Sequence, residues 1–120
     1  MPEEGTVVNT AIYIALIEGY KLIRLYGVEH NMFVNLRMNS EHKLCIWEKN
    51  FYDDKGTLVP VINDDSSSQA KIHEYFNFIY VMFKSHYLLR LFADYMGARV
   101  LNCTPDSMID SYEFEEGGDV

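Results

Sequence analysis

The segment YFNFIYVMFKSHYLLRLFADYM, residues 75–96, decides how the fold is interpreted, because sixteen of its twenty-two residues are apolar or aromatic. Its length favours a helix, and Gly97 suits a left-handed residue at a helix C-terminus. At about 100° per residue, however, its polar residues fall on two stripes, one through Asn77 and Lys84 and another after Ser85 turned by roughly 120°. A straight surface helix keeps a single polar stripe. The pattern therefore disfavours a straight helix with one face on the core and the other in solvent.

Three interpretations explain this second helix. Thirty helical residues extend for roughly 45 Å, whereas the radius of gyration of a domain of this length implies a diameter of about 27 Å. The helix therefore bends or breaks near residues 84–86, or its second half lies against another chain, or it crosses a sheet and is buried on both sides. In the second case the residues that lie against the other chain are Tyr87, Leu88, Leu89, Leu91, Phe92 and Tyr95. Aromatic residues are favoured at such interfaces.

Length and composition indicate one compact domain. The chain has 120 residues, of which 48% are hydrophobic and 23% charged, and this is enough to bury a core without cross-links. The N-terminus lacks the regions of a signal peptide, and no run of eighteen apolar residues is uninterrupted. We expect an intracellular, cytoplasmic protein with no membrane span. Its single domain would cover residues 1–104, followed by an acidic tail with a short helix over residues 105–120.

Residues 7–26 repeat apolar side chains at helical spacing, as at Ile12 and Leu16, and predict an N-terminal helix. Gly27 then suits the residue that follows a helix C-terminus. The alternative is a β-hairpin that turns at Glu18–Gly19, because the first half of the segment is rich in β-branched residues. The sequence leaves both alternatives open.

The apolar period changes to two in the next part of the chain. Residues 32–38 and 43–52 are typical of two antiparallel strands joined by a polar turn. The sequence DDKG at residues 53–56 is typical of another turn. Residues 57–62 then predict a third strand at a sheet edge, because Pro60 has no backbone N–H to donate.

The remaining elements complete an α+β fold. Residues 64–69, DDSSSQ, offer N-caps and carboxylates for the start of the second helix, and residues 99–103 predict a fourth strand. The predicted architecture is a single domain. In it, an antiparallel sheet of three to four strands packs against the N-terminal helix and a long second helix, straight or kinked.

The chain ends in an acidic segment that has two interpretations. Thr104 and Pro105 suit the start of a short helix, and the acids and glycines after it are typical of a solvated tail. The alternative is a docking segment whose apolar residues enter a groove while its carboxylates meet a basic rim. The residues of this docking segment are Ile109, Asp110, Tyr112, Glu113, Phe114, Glu115 and Glu116.

The net charge of −8 is concentrated at the two ends of the chain. Residues 1–20 carry −3 and residues 104–120 carry −6, whereas residues 21–103 carry +1. A mimic of the DNA backbone would spread its carboxylates over the folded surface, and no Lys/Arg cluster is present. We therefore expect neither DNA mimicry nor direct nucleic-acid binding.

No residue pattern in the sequence indicates a catalytic or metal site. The histidines are His30, His42, His73 and His86. They occur singly, whereas zinc sites draw ligands in pairs, so each is interpreted as a surface or capping residue. Cys45 and Cys103 have no neighbouring base and are interpreted as core residues. Phosphate-binding loops and nucleophile elbows are lacking. We expect no enzyme activity, no cofactor and no metal.

These expectations favour a small protein-binding module or inhibitor that occludes a basic, nucleic-acid-handling surface of a protein partner. Inhibitors of phage or viral origin and immunity proteins act in this way. The first alternative is a self-associating structural or chaperone-like homodimer formed through the second helix. The second alternative is a small-molecule-binding domain or enzyme, with Trp47, Tyr80 and His86 around a pocket between the sheet and the second helix.

Overall fold

The computed structural model describes residues 7–50, 52, 55–63 and 66–116. The chain divides into two compact units: Met1–His30 with Phe78–Val120 form unit 1, and Asn31–Asn77 form unit 2. The single domain expected from the sequence is therefore subdivided, with unit 2 inserted into unit 1.

The elements follow one another in an α+β order, as predicted. In chain order they are α1 (Val7–Ile17), β1 (Leu22–Leu25), a 3₁₀ helix (Met32–Asn35), β2 (Leu36–Met38), β3 (Leu44–Lys49), β4 (Gly56–Pro60), α2 (Ile72–Tyr95), β5 (Arg99–Asn102) and β6 (Glu113–Phe114). The helix α2 begins in unit 2 and continues into unit 1.

The first helix is shorter than predicted. It ends before Gly19, which has a φ of 92°. The N–H of Gly19 donates to the carbonyl of Leu16, and the N–H of Tyr20 donates to that of Ala15, which is the Schellman arrangement. The strand β1 follows. Each alternative was therefore half correct, because the first half of the segment is a helix and the second half is a strand after a turn at the predicted place.

The sheet of unit 1 is parallel, with the order β1-β5-β6. The prediction of one antiparallel sheet was wrong for this unit. The helix α2 lies between β1 and β5 in the chain, and a crossover of this kind returns the second strand parallel to the first. Apolar periodicity shows that residues 99–102 form a strand, but it carries no information on the strand's direction or neighbours.

The C-terminal segment belongs to unit 1. Residues 104–112 form a turn and an irregular stretch in place of the predicted short helix. The side chain of Asn102 organises this stretch, because its Nδ2 donates to the hydroxyl of Ser107 and to the carbonyl of Ile109. Ile109 and Tyr112 are thereby held in the core, and β6 follows directly.

The sheet of unit 2 is antiparallel with the order β2-β3-β4, as predicted. The strand β4 lies at the sheet edge and contains Pro60, which is opposite Cys45. The start of the first predicted strand is instead the 3₁₀ helix. Residues 53, 54, 64 and 65, on which the predicted DDKG turn and DDSSSQ helix start depend, lie outside the described residues.

The second helix is uninterrupted through residues 84–86, so it does not break there. Its 24 residues extend for about 36 Å. It ends at Gly97 as predicted, with the N–H of Gly97 bonded to the carbonyl of Asp94 and that of Ala98 bonded to the carbonyl of Ala93. In unit 1 its Leu89 and Ala93 join residues of α1, β1 and β5 in the core.

Candidate protein-contact surface

The part of α2 in unit 1 has a buried inner face and an outer face on which apolar residues are exposed. Its inner face carries the buried residues Met82, Ser85, His86, Leu89 and Ala93. About 180° away, its outer face carries Tyr87, Leu88, Leu91 and Tyr95, which are 51%, 43%, 47% and 86% exposed. Four of the six residues that the sequence assigned to partner contact on this helix therefore face outward. Phe92 is half-buried, and the assignment was wrong for Leu89, which is 1% exposed in the core.

The helix α1 has the same character. Ile12 and Leu16 are buried, whereas Ile14 and Ile17 are about half exposed. A helix that packs on a core with one face normally has polar residues on the other. Apolar residues on the outer faces of both helices of one unit are therefore a shared feature that core packing does not explain.

One aromatic stack joins the two helices. The rings of Tyr13 on α1 and Phe92 on α2 are stacked with their centroids 5.6 Å apart, and both residues are half-buried. Ile17 is one turn from Tyr13, and Leu88 and Tyr95 are each one turn from Phe92, so these exposed residues flank the stack. We call the set Ile14, Ile17, Tyr87, Leu88, Leu91 and Tyr95 the outer surface.

Few charges lie along the outer surface. Lys84 donates a hydrogen bond of 3.2 Å to the hydroxyl of Tyr80, and its Nζ lies 5.6 Å from the centroid of that ring. Arg90 and Asp94 form an ion pair of 3.1 Å one turn apart. Lys84 is one turn before Tyr87 and Asp94 is one turn after Leu91, so these two charges lie at the ends of a face that is otherwise apolar.

The predicted docking segment is divided by the fold. Ile109 and Tyr112, its first two apolar residues, are 4% and 5% exposed in the core of unit 1. Asp110, Phe114 and Glu116 are exposed. The carboxylate of Glu113 lies 2.8 Å from Arg99, and that of Glu115 lies 3.2 Å from Arg24. Two of the acids expected to meet a basic partner thus contact arginines of their own chain.

These ion pairs affect the titration of their members. Hydrogen bonding and attraction from Arg99 lower the pKa of Glu113, and the same contact raises the pKa of Arg99. Both side chains are more than half exposed to solvent, so water screens the pair and it contributes little to stability.

A histidine cluster lies inside unit 1 next to the inner face of α2. His86 is fully buried, and its Nδ1 shares a hydrogen bond of 2.7 Å with the hydroxyl of Tyr112. The ring of His30 is tilted against that of His86 with the centroids 5.2 Å apart, and it meets Phe83 edge-on at 6.2 Å. The prediction that each histidine is a surface or capping residue was wrong for His86, because this residue of the second polar stripe faces the core, where it meets Tyr112.

Burial keeps this cluster uncharged. Removal from water, with a smaller repulsion from His30, lowers the pKa of His86 to about 4. Burial lowers the pKa of His30 and raises the pKa of Tyr112 in the same way. Among the described residues, the Nε2 atoms of both histidines have no hydrogen-bond partner. The arrangement is therefore two neutral imidazoles and a neutral phenol at pH 7.

The cluster does not provide a full set of metal ligands. Within residues 7–116, wherever the structure describes them, no three histidine, cysteine, aspartate or glutamate side chains come together in a way that could hold an ion. Two imidazoles alone leave a zinc ion short of the three or four ligands it takes in proteins.

The pocket residues considered from the sequence belong to different units of the chain. Trp47 lies in β3 of unit 2, whereas Tyr80 and His86 lie in unit 1. On α2, Tyr80 is 58% exposed and His86 is buried, so the two point to opposite sides. In unit 2, Trp47 lines a shallow open depression together with Met32, Asn35, Ile46, Glu48 and Lys49.

No local pattern in the sequence indicates the histidine cluster. His30 lies in the stretch between β1 and the 3₁₀ helix. The contact between His30 and His86 joins residues 56 positions apart, so it depends on the tertiary fold and is invisible to a search for ligands in sequence pairs.

The chain matches no protein-family model, no curated protein and no solved structure at a significant level. Among the described residues, no helix combines the length and apolar character that crossing a membrane requires.

Proposed function

We propose that the chain is a protein-binding module and that the outer surface of unit 1 is its contact region. The observation that carries the proposal is the exposure of Tyr87, Leu88, Leu91 and Tyr95 on the side of α2 opposite the core. Exposed apolar patches of this kind mark interaction sites when they are contiguous. Burying them against another protein removes apolar area from water, which is the main driving force of association.

The composition of the outer surface supports protein contact over a small-molecule site. Tyrosine combines a large apolar ring with a polar tip, and it is enriched at interfaces together with other aromatic residues. The surface is formed by two helices whose Tyr13 and Phe92 rings stack on each other.

The partner proposed from the sequence was a protein with a basic surface, which this chain would occlude as an inhibitor. The outer surface is compatible with that role. The acidic contribution is weaker than expected, because Glu113 and Glu115 already pair with Arg99 and Arg24. We therefore base the proposal on apolar contact and assign the acids a secondary role.

Affinity capture with the full chain tests the proposal. The wild-type protein and three variants are used as bait in an extract of the native host: Tyr95→Ser, Leu91→Asp and, as matched control, Tyr52→Ser in unit 2. Tyr52 is 88% exposed, close to the 86% of Tyr95. We expect wild type and Tyr52→Ser to retain the same protein, including further copies of this chain, and the two outer-surface variants to lose it. Equal retention by all four baits would contradict the proposal.

A further inference from the structure

The outward-facing residues of α2 follow a coiled-coil spacing. Tyr80, Lys84, Tyr87, Leu91 and Asp94 are separated alternately by four and three residues. This spacing has a mean period of 3.5, which keeps side chains on one seam of a helix that packs along another helix. All five lie in unit 1, and the side chains of Tyr80, Tyr87 and Leu91 are about half exposed.

The seam is also symmetric about its middle. Tyr87 and Leu91 are each two residues from Leu89, and Lys84 and Asp94 are each five residues from it. An antiparallel copy of the same helix, related by a two-fold axis at the level of Leu89, would therefore place Tyr87 opposite Leu91 of the second copy. It would also place Lys84 opposite Asp94 of the second copy. Each contact would occur twice, as two-fold symmetry requires.

We propose that the occupant of the outer surface is a second copy of this chain, docked through an antiparallel α2–α2 seam. The inference rests on the proposed function, because it names the partner of the same surface. The order of residues along the seam supports the antiparallel arrangement. A parallel, in-register pair would place Lys84 against Lys84 and Asp94 against Asp94, and like charges in contact disfavour association.

The charges at the ends of the seam complement each other in this arrangement. In the single chain Lys84 contacts the phenol of Tyr80, and within the part of the chain that the structure describes no carboxylate lies within ion-pair distance of it. Both carboxylate oxygens of Asp94 accept from the Nε of Arg90, and the Asp94 side chain remains 57% exposed. Docking gives Lys84 a carboxylate partner and leaves the contact between Asp94 and Arg90 in place.

The apolar residues beside the seam become buried at the same time. Leu88 lies one residue from the proposed axis, on one flank of the seam, so it approaches Leu88 of the second copy. Tyr95 lies on the same flank near Lys84 of the second copy, where its ring can cover the aliphatic stem of that lysine. The dimer thus covers the most exposed residues of the outer surface on α2.

A charge-swap series tests the occupant and the register together. The mass in solution is measured by sedimentation velocity over a wide range of concentration, at low ionic strength, where exposed charges are least screened. The proteins are wild type, Lys84→Glu, Asp94→Lys, the double variant with both changes, and Lys49→Glu as a charge control in unit 2. Circular dichroism checks that each variant is folded.

We expect wild type and Lys49→Glu to form a dimer of twice the chain mass of 14.0 kDa. Each single swap creates two like-charge contacts and should raise the dissociation constant about tenfold or more, and the double variant should restore it. If wild type forms a dimer but the double variant has a dissociation constant as high as those of the single variants, the antiparallel register is contradicted. If the wild-type chain stays monomeric at every concentration, the proposal that a second copy occupies the outer surface is contradicted. In that case the loss of a captured host protein by Tyr95→Ser would still support the proposed function.

Discussion

The Nδ1 atom of His86 lies 2.7 Å from the hydroxyl oxygen of Tyr112. This hydrogen bond connects the inner face of α2 with the segment that precedes β6, and both partners are buried. It also explains why Tyr112, which is next to a run of acids in the sequence, is a core residue. A polar contact of this kind selects one packing arrangement, because a buried polar group without its partner is costly.

Removal of the Tyr112 hydroxyl should destabilise unit 1. We expect Tyr112→Phe to lower the free energy of unfolding by about 1–3 kcal/mol, since the imidazole of His86 would lose its buried partner. Urea denaturation followed by circular dichroism measures the change. Tyr95→Phe is the control, because Tyr95 is 86% exposed, and it should change stability by less than about 0.5 kcal/mol. Equal effects of the two variants would show that the hydrogen bond does not contribute.

Acid should destabilise the chain over a defined range of pH. The pKa of His86 is lowered from 6.5 to about 4 in the folded state, so the unfolded state binds a proton first. The contribution of His86 to the free energy of unfolding is complete above pH 6.5. It decreases by about 3 kcal/mol as the pH falls from 6.5 to about 4. Lowering of the pKa of His30 acts in the same direction.

The pH dependence is measured as the free energy of unfolding in urea at several pH values. His86→Gln should flatten it, whatever its effect on stability at pH 7, because the replaced side chain no longer titrates. His73→Gln should leave the slope unchanged, since His73 is exposed on α2. A slope that persists in His86→Gln would assign the acid sensitivity to other groups.

The local elements of this fold are readable from the sequence, whereas their pairing is not. The period of two predicts β2 and β3, and Gly97 predicts the end of α2. The helix interpretation extended α1 past Gly19, because Ile23 and Tyr26 continue the helical spacing by chance, whereas the hairpin alternative placed a turn there. The parallel pairing of β1 with β5 joins residues more than 70 positions apart, and no local pattern encodes it.

The candidate site was also predictable only in part, because local spacing shows which residues share a helix face and does not show which segments pack against each other. Helical spacing alone places Tyr87, Leu91 and Tyr95 on one face of α2, and the structure shows that this face is exposed. Spacing could not show that Ile109 and Tyr112 are core residues. Their burial depends on Asn102, which holds the segment against unit 1 through its contact with the carbonyl of Ile109.

A glycine in unit 2 should control the position of the single tryptophan. Gly56 is opposite Lys49 in the β3–β4 pair, and a Cβ atom at Gly56 would overlap the indole of Trp47. We expect Gly56→Ala to displace the ring, shift its fluorescence emission and lower stability by about 1–3 kcal/mol. Thr57→Ala, one residue further along β4, is the control. An unchanged emission spectrum in Gly56→Ala would contradict this packing.

The C-terminal segment should be required for folding because of its buried side chains, whereas its charges should contribute little. Truncation after Thr104 removes Ile109 and Tyr112 from the core, and losing buried side chains of this size costs about 2–5 kcal/mol each, comparable to the whole stability of a small domain. We expect the truncated chain to lose cooperative unfolding. The double variant Glu113→Gln and Glu115→Gln should remain folded and lose less than about 1 kcal/mol per ion pair, because both pairs are exposed. A stably folded truncation would contradict the assignment of this segment to the core.

Hydroxyl-radical footprinting of the purified full chain, at increasing protein concentration, tests most directly whether the outer surface is covered by protein in solution. The account predicts that oxidation of Tyr87, Leu91 and Tyr95 falls as concentration rises, while oxidation of Tyr52 in unit 2, which is 88% exposed, stays constant. If Tyr95 and Tyr52 stay equally reactive at every concentration, the outer face of α2 remains in water and self-association through it is contradicted.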